Sequence, residues 1–498
     1  MEKLRQTYKE YKETVSAYQM ALNTMYFDLV TIAPKKGIAK RNEAMAYLSG
    51  ELFLKMTDSK VLSQIEELKE KTDDLTEKKE IELLLKSLEY QRYLPKEVYV
   101  DYQQILNDGQ VAWEEAKHED NYEKFEPYLK AIINKQKEVL TYLPKQVSDY
   151  DYLLDLFEEG TNIQFYDNFF ETIKTHLVPL MKEIQEKGKK IDNSVLYQHF
   201  DIEQQKAYNK QLLEYLNMDL QRCMVSESEH PFTIFYSDQE ARFTTHYYED
   251  NIMSGILSNI HEFGHALYSL QLKPEYDGTA LKDNIGSAMH ESQSRLLENH
   301  LGRSRALWEV QFPILKQYFP QQFEGIELDQ FMEMINVTTP SFIRTEADEL
   351  TYPLHILIRY ELEKEIFNGK LDLDKLEMAW NNKVEEYLGI KVTCPSEGIL
   401  QDMHWGGGSF GYFPTYALGS AYAAQFYQAM DKEINVAECL KEHQFNKIAE
   451  WLKVNIHQDG AFKTAEEIMK QATKEAFDPQ YYIQYLTDKY RKIYGLDK

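Results

Sequence analysis

Residues 256–272 read ILSNIHEFGHALYSLQL and predict a helix with an H-E-x-x-H motif at its centre. His261 and His265 are four residues apart, so both side chains lie on one helix face and can hold one metal ion. Glu262 then lies beside that ion, where its carboxylate can take a proton from water. The pattern is typical of zinc peptidases, although two ordinary helical histidines give the same letters. Apolar residues flank the motif on both sides, as expected for a buried helix: Ile256, Leu257, Ile260, Ala266, Leu267, Leu270 and Leu272.

Most of the remaining chain also reads as amphipathic helix. It has 498 residues with few glycines (21) and prolines (14), which favours long helices. Residues 65–93, with Leu and Ile spaced among Glu and Lys, are an example. We expect an all-α, mainly helical fold in one large domain, residues 1–498. Helical hairpins are predicted over the first 220 residues, punctuated near Pro34, Pro95, Pro127 and Pro144.

The formal net charge of −26 excludes two classes of partner. Nucleic acid and anionic membranes would both be repelled by such an acidic surface. A substrate that carries a carboxylate would therefore need a fixed positive charge in the site.

The cysteines indicate a reducing compartment. Cys223, Cys394 and Cys439 form no C-x-x-C pair, and their odd number argues against a disulfide framework. The N-terminus lacks the apolar segment of a signal peptide, and no run of about 18 apolar residues occurs. We expect a cytoplasmic protein without a membrane span.

Residues 231–248, PFTIFYSDQEARFTTHYY, break the helical pattern just before the motif helix. They are rich in Thr, Phe, Tyr and Ile, and Ser237-Asp238 offers a turn, so they predict a short hairpin or two strands. We expect a small β-sheet beside the active-site groove. Its edge could pair with an extended peptide through main-chain hydrogen bonds, or the sheet could be structural only.

Residues 389–419 are the part of the chain richest in glycine, with Gly406-Gly407-Gly408 at the centre. A glycine-rich loop that also carries aromatic and His side chains is typical of a functional site, although a flexible surface loop is the alternative. The side chains of interest are His404, Trp405, Tyr412 and Tyr416.

A catalytic zinc ion usually takes three protein ligands, so a third ligand must lie outside the motif helix. Residues 290–298, HESQSRLLE, read as a helix after a turn at residues 282–286. An antiparallel helix there would bring Glu291 back to the two histidines. His290 and Glu298 are alternatives, and a carboxylate in so acidic a chain can also lie on the surface.

Four motifs in this order resemble the thermostable (Taq-type) zinc metallocarboxypeptidases. After H-E-x-x-H they are HESQ at 290–293, IRTEAD at 343–348 and GILQDMHW at 398–405. The resemblance covers the chain from about residue 225 onward. It implies a helical zinc enzyme that is usually a homodimer, in which residues 1–220 form a wall or lid over a groove and residues 221–498 form the zinc-site region.

One motif of the family departs from its usual form in this chain. The D-x-R-x-T motif reads EARFT at 240–244, so Glu240 replaces the Asp. The longer side chain keeps the charge but can alter how the strand is held. We therefore expect Arg242 and Thr244, more than Glu240, to support the site.

The resemblance also implies roles for catalytic and metal-binding residues. Glu291 becomes the third ligand of Zn²⁺, which Co²⁺ could replace because the same ligands suit both ions. Glu262 becomes the general base, which later delivers its proton to the leaving amine. Three residues are candidates for the donor that stabilises the oxyanion, with no choice among them: His404, Tyr412 and Tyr416.

Arg344 is implied to bind the terminal carboxylate of the substrate, because a guanidinium fork matches a carboxylate. Arg242 is a second candidate for substrate binding. The alternative for Arg344 is a salt bridge to Glu346, Asp348 or another acid. Asp348 and Asp402 could orient a histidine, or could be helix caps or buried ion-pair partners.

We therefore expect a metallocarboxypeptidase that releases the C-terminal residue from peptides with a free C-terminus, using zinc-activated water. An endo-acting zinc oligopeptidase shares the motif but needs no carboxylate clamp. A non-catalytic helical peptide-binding protein is the third possibility, although it would have no use for Glu262.

Overall fold

Helices account for nearly the whole architecture of the computed structural model, which describes residues 1–283 and 285–496. Asn284, Asp497 and Lys498 lie outside the described residues, and so does the middle of the turn predicted at 282–286. The helices before the sheet are α1 Glu2–Thr31, α2 Ile38–Met56, α3 Ser59–Lys71, α4 Leu75–Ser87, α5 Glu89–Tyr93, α6 Lys96–His118, α7 Tyr122–Leu140, α8 Asp149–Phe157, α9 Ile163–Lys187 and α10 Ile202–Tyr215.

The helices after the sheet include the predicted motif helix, α11. They are α11 Ile252–Leu270, α12 Ala280–Asp283, α13 Ser287–Arg295, α14 Arg305–Tyr318, α15 Leu328–Met334, α16 Tyr352–Phe367, α17 Leu376–Leu388, α18 Phe413–Ile434, α19 Val436–Lys441, α20 Phe445–Asn455, α21 Ala465–Thr473 and α22 Gln480–Tyr494. A π-helical turn, Leu296–Leu301, continues α13. Among the described residues, no helix is long and apolar enough to cross a bilayer.

Two details of the predicted helical pattern are wrong. Residues 65–93 are divided among three helices, because the Asp74 side chain accepts the N–H groups of Thr76 and Glu77 and so begins α4. Pro127 does not separate helices but lies inside α7, where it costs one backbone hydrogen bond and the helix still packs through buried apolar side chains. The other three prolines named above do lie outside the helices.

The predicted sheet is present but has three strands, β1 Cys223–Glu227, β2 Thr233–Ser237 and β3 Glu240–Thr245. The order is β1-β3-β2, with β1 parallel and β2 antiparallel to β3. The prediction missed β1, which lies upstream of residues 231–248 and has only one buried residue. The turn between β2 and β3 falls at residues 238–239, one position later than predicted. The mainly helical fold class with a small sheet is confirmed.

The hydrophobic core is divided unequally along the chain. Buried residues from Leu94 to Tyr494 form one continuous cluster, and this cluster runs across residue 220. A separate cluster of buried side chains, between Leu4 and Leu88, joins α1, α3 and α4. The division of the chain into residues 1–220 and 221–498 stays a prediction.

Three helices meet at the motif because two glycines let their backbones approach closely. A Cβ added at Gly264 of α11 would lie 2.6 Å from Ser294 Cα of α13. A Cβ added at Gly419 of α18 would lie 2.8 Å from Glu291 Cβ. Both distances are well below ordinary carbon contacts of about 3.5–4.0 Å. The glycines thus place α11 and α18 directly against α13.

A buried carboxylate from α8's C-terminal end closes the N-terminus of α13. Glu158 is fully buried, and its Oε2 accepts the N–H groups of Ala288 at 2.7 Å and Met289 at 3.4 Å. Two N–H groups that have no partner within the helix are thereby satisfied. Burial raises the pKa of Glu158 to about 8, although these hydrogen bonds favour its ionised form.

The variant Gly264→Ala should unfold at a lower temperature than the wild type, because its methyl group overlaps the backbone of Ser294. Overpacking of this kind costs about 1–3 kcal/mol. Gly50→Ala in α2 is the matched control, since a Cβ there meets nothing within 4 Å. It should be neutral or stabilising by up to about 1 kcal/mol. Calorimetric Tm values test both, and an unchanged Tm for Gly264→Ala would contradict the close packing.

Glu158 should make the fold less stable as the pH rises from about 4.5 to about 8, since the unfolded chain loses this proton first. The side chain in Glu158→Gln cannot ionise, so the free energy of unfolding of this variant should lack this part of the pH dependence. The part that is lost amounts to up to roughly 5 kcal/mol. Thermal unfolding of both proteins across that pH range measures the difference. If the stability of the two proteins changes with pH in the same way, the pKa of Glu158 is not raised.

Candidate metal centre and substrate site

Three side chains from two helices converge on one point. His261 and His265 extend from α11, and Glu291 extends from α13. One ligand atom from each lies within 4.8 Å of the others. Glu291 Oε2 is 3.4 Å from His265 Nε2 and 3.7 Å from His261 Nε2. Two imidazole nitrogens and a carboxylate oxygen fit Zn²⁺ and leave one tetrahedral position to a non-protein ligand.

The Nδ1 atoms of both histidines contact the residues considered as alternative ligands. Glu298 Oε2 lies 2.8 Å from His261 Nδ1, and His290 Nδ1 lies 2.6 Å from His265 Nδ1. Burial, reinforced by the nearby His265, lowers the pKa of His290 to about 3, so His290 is neutral and can accept a hydrogen bond. Contacts of this kind fix the imidazole tautomer and leave Nε2 for a metal. Glu298 and His290 thus hold the two histidines at their Nδ1 atoms, on the side of each ring opposite Nε2.

The nearby Arg295 guanidinium keeps Glu291 ionised. Burial would raise its pKa, but the charge of Arg295, together with contacts to the two histidines, outweighs burial and holds the pKa well below its usual range. Arg295 donates from Nε to Glu291 Oε1 at 2.7 Å and from Nη1 to Glu298 Oε2 at 3.1 Å. The ionised carboxylate is the form that binds a metal ion.

Glu262 connects the motif helix to the sheet. The Thr233 hydroxyl lies 2.7 Å from Glu262 Oε2 and 3.1 Å from its carbonyl oxygen. Thr233 is the first residue of β2, which is an edge strand. The candidate base is therefore held next to a strand edge, on the same helix as His261 and His265.

The glycine-rich segment is anchored by a buried carboxylate of α16. Glu363 Oε1 accepts the indole N–H of Trp405 at 2.7 Å. Its Oε2 accepts the N–H of Gly411 at 2.8 Å and the hydroxyl of Tyr150 at 3.0 Å. Two of these three hydrogen bonds come from the segment and tie it to one fully buried group, so the flexible-surface-loop alternative does not hold.

The three candidate oxyanion donors lie together. The His404 and Tyr412 rings are 5.6 Å apart, and the Tyr412 and Tyr416 rings 5.1 Å apart. Burial raises the pKa of both tyrosines and lowers the pKa of His404 to about 4. All three are therefore neutral near neutral pH, and each carries a proton that it can donate. Tyr416 is one helical turn before Gly419, where α18 touches Glu291.

Arg344 pairs with Asp402, so the predicted alternative of a salt bridge is observed, with Asp402 as the acid. Arg344 donates from Nε and Nη2 to Asp402 Oδ1 at 2.9 and 2.8 Å, and from Nη1 to the Tyr352 hydroxyl at 3.2 Å. Arg359 donates from Nε to the other oxygen, Oδ2, at 2.7 Å. Asp402 is thus a buried ion-pair partner, and at 4.0 Å it is not hydrogen-bonded to His404 Nδ1.

Asp348 acts as a cap. Its Oδ1 accepts the N–H groups of Leu350 and Thr351 at 2.9 and 3.0 Å, just before α16. It also accepts the Thr338 hydroxyl at 2.8 Å. Asp348 therefore caps the turn that leads into α16, whose own N-cap residue is Thr351.

Arg242 lies on β3 of the sheet, where its partners are Glu240 and two aromatic rings. It donates to Glu240 Oε1 at 2.7 Å, and its guanidinium lies 4.7 Å from the Tyr236 ring and 5.5 Å from the Phe27 ring of α1. Thr244 is fully buried and accepts the Ser228 hydroxyl at 2.6 Å. These contacts hold β3 against its neighbours and against α1.

Sequence reasoning missed three buried ionisable residues. Arg295 follows HESQ and is four positions after Glu291, a spacing that could have indicated their contact. Glu158 and Glu363 gave no local signal, because their partners are about 40 or more positions away along the chain.

Comparison with known proteins gives one consistent result. The sequence profile of the carboxypeptidase Taq (M32) metallopeptidase family matches residues 7–490. The chain is 40% identical over 485 residues to carboxypeptidase 1 of Bacillus subtilis, covering 97% of each protein. It is 35% identical to thermostable carboxypeptidase 1 of Thermus thermophilus, covering 96% of this chain and 97% of the relative.

The fold agrees with solved structures. The M32 carboxypeptidase from Deinococcus radiodurans superposes with a TM-score of 0.95 at 28% identity, covering 99% of this chain and 100% of that one. The chain therefore belongs to the carboxypeptidase Taq family of metallopeptidases, which are peptide hydrolases that use a metal ion.

Proposed function

We propose that this chain is a zinc carboxypeptidase that releases the C-terminal amino acid from peptides. The observation that carries the proposal is the convergence of His261, His265 and Glu291 within 4.8 Å. Glu262, on the same helix, supplies a carboxylate beside them. Co²⁺ suits the same donor set and is the natural substitute ion.

Glu262 is the general base of the proposed reaction. A Zn²⁺ ion held by the trio supplies Lewis acidity that polarises the scissile carbonyl and acidifies a water. The Thr233 hydroxyl occupies Glu262 Oε2, which leaves Oε1 to take the proton of the attacking water. Glu262 then passes this proton to the leaving amine.

Arg344 binds the terminal carboxylate of the substrate in this proposal. A guanidinium has five N–H donors, and three of them are used on Asp402 and Tyr352. Asp402 is shared with Arg359, so the two arginines and one carboxylate carry a net positive charge. This charge is what a carboxylate substrate needs in a protein with a net charge of −26. Arg242 remains a weaker candidate for substrate binding, since Glu240 neutralises it.

The rest of the substrate would extend along the groove beside the sheet. The edge of β2 lies next to Glu262 and can pair with an extended peptide. Tyr416, Tyr412 and His404 supply candidate donors to the oxyanion, and one such donor is worth about 3–4 kcal/mol. A cytoplasmic location, a homodimer and a lid formed by residues 1–220 stay predictions.

Mass spectrometry of a free-acid peptide and its amidated twin, each incubated with the metal-loaded protein, tests the proposal. We expect stepwise loss from the C-terminus of the acid and little cleavage of the amide. Internal cuts in both peptides would favour an endo-acting oligopeptidase. If no metal supports any cleavage, the chain is a peptide-binding protein instead.

The variant Glu262→Gln should lose nearly all turnover, about 10²–10⁴-fold, because an amide cannot take the proton. Its metal content, measured by elemental analysis, should stay at the wild-type level, since Glu262 is not among the ligands. Glu249→Gln, at a surface position, is the control. Retained activity in Glu262→Gln would make the general-base assignment wrong.

Arg344→Ala should lower kcat/KM for free-acid peptides by about 10- to 100-fold, the value of a charged hydrogen-bond pair. Residual cleavage of the amidated twin should change little, because the amide does not use the clamp. Asp402 keeps Arg359 as a partner in this variant, and circular dichroism checks that the variant is folded. Equal losses on the two peptides would remove Arg344 as the clamp.

A further inference from the structure

The two oxygens of Glu291 lie in different surroundings. Oε2 faces the Nε2 atoms of His265 and His261 at 3.4 and 3.7 Å. Oε1 accepts the Nε–H of Arg295 at 2.7 Å. A carboxylate can bind a metal ion through one or both oxygens, and here one of them already has a strong, charge-assisted partner.

Arg295 is itself held in place. Its Nη1 donates to Glu298 Oε2 at 3.1 Å, and Glu298 in turn contacts His261 Nδ1. The guanidinium lies 4.6 Å from the Tyr352 ring, and the side chain is only 17% exposed. A planar group fixed at two carboxylates and one ring cannot turn away from Oε1 without breaking several contacts.

Ser294, the neighbour of Arg295, does not hold Oε2 of Glu291 as Arg295 holds Oε1. The Ser294 hydroxyl lies 2.7 Å from the carbonyl oxygen of Glu291 and 3.2 Å from Oε2. Its single proton goes to the nearer carbonyl, which leaves the lone pairs of Oε2 for a metal ion.

We propose that Arg295 is a positioning residue that holds Glu291 to one-oxygen coordination. A four-coordinate zinc ion with three protein ligand atoms keeps its last position for water or the substrate carbonyl. If Oε1 were free, Glu291 could swing and occupy a further position. This inference rests on the trio being the metal site, as in the proposed function, but not on which peptides are cut.

The test compares Arg295→Met with the wild type after loading with Co²⁺ or Zn²⁺. The visible absorption of Co²⁺ weakens when its coordination number rises above four, and X-ray absorption counts the oxygen and nitrogen neighbours of Zn²⁺. We expect four neighbours in the wild type and an added oxygen in Arg295→Met. The variant's kcat should fall by about 10- to 100-fold, with a smaller change in KM.

Two further variants make the comparison specific. Ser294→Ala is the matched control and should keep the wild-type coordination number, because Oε1 stays paired with Arg295. Arg295→Lys keeps a cation within reach of Oε1 and should restore the wild-type spectrum. If Arg295→Met does not fold, the double variant with Glu298→Gln keeps the net charge of the cluster, and the single variant Glu298→Gln measures what the change at the partner of His261 contributes by itself.

The outcomes separate this proposal from the proposed function. An unchanged coordination number in Arg295→Met, or a wild type that already has the added oxygen, overturns the role of Arg295. Both results are measured by spectroscopy of the bound metal ion, so neither depends on peptide cleavage. A protein that shows the expected coordination change but cleaves no peptide would support Arg295 and reject the carboxypeptidase.

Discussion

The contact of three helix backbones around α13 is the constraint on which the site depends. Gly264 and Gly419 leave no room for a side chain between α13 and its neighbours, α11 and α18. Glu291 can reach the two histidines because α13 lies so close to α11. The same approach on the other side places α18, which carries Tyr416, against Glu291. Helix packing at this distance therefore determines where the candidate metal ligands lie, and it places the helix that carries one of the three candidate oxyanion donors.

Two arginine clusters supply fixed positive charge inside a strongly acidic protein. Arg295 bridges Glu291 and Glu298, and Arg344 shares Asp402 with a second arginine. Tyr352 contacts both clusters, since its ring lies 4.6 Å from Arg295 and its hydroxyl accepts from Arg344 at 3.2 Å. The spacing between the candidate metal centre and Arg344, the proposed carboxylate clamp, is thus set by packed side chains. In an exopeptidase that spacing decides how many residues are removed.

Local patterns in the sequence predicted the helical class, the motif helix and the existence of the sheet. Each of these features depends on hydrophobic periodicity or on a short motif within one segment of the chain. The same patterns could not distinguish Glu291 from Glu298, since both carboxylates lie on helical turns next to α11. The structure separates them: Glu291 faces Nε2 and Glu298 contacts Nδ1. β1 and the cap by Glu158 depend on contacts with distant parts of the chain. Such contacts cannot be predicted from the spacing of neighbouring residues in the sequence.

The anchoring of the glycine-rich segment contrasts with the exposure of α2. Glu363 ties this segment at Trp405 and Gly411 to α16, so the segment is fixed in place. In α2, by contrast, every residue is at least partly exposed, and large apolar side chains such as Tyr47 and Leu54 face solvent. Displacing α2 therefore breaks far fewer buried contacts than displacing this segment. Sequence changes in α2 can accordingly accumulate without disturbing the packing around Glu363 or around the trio of His261, His265 and Glu291.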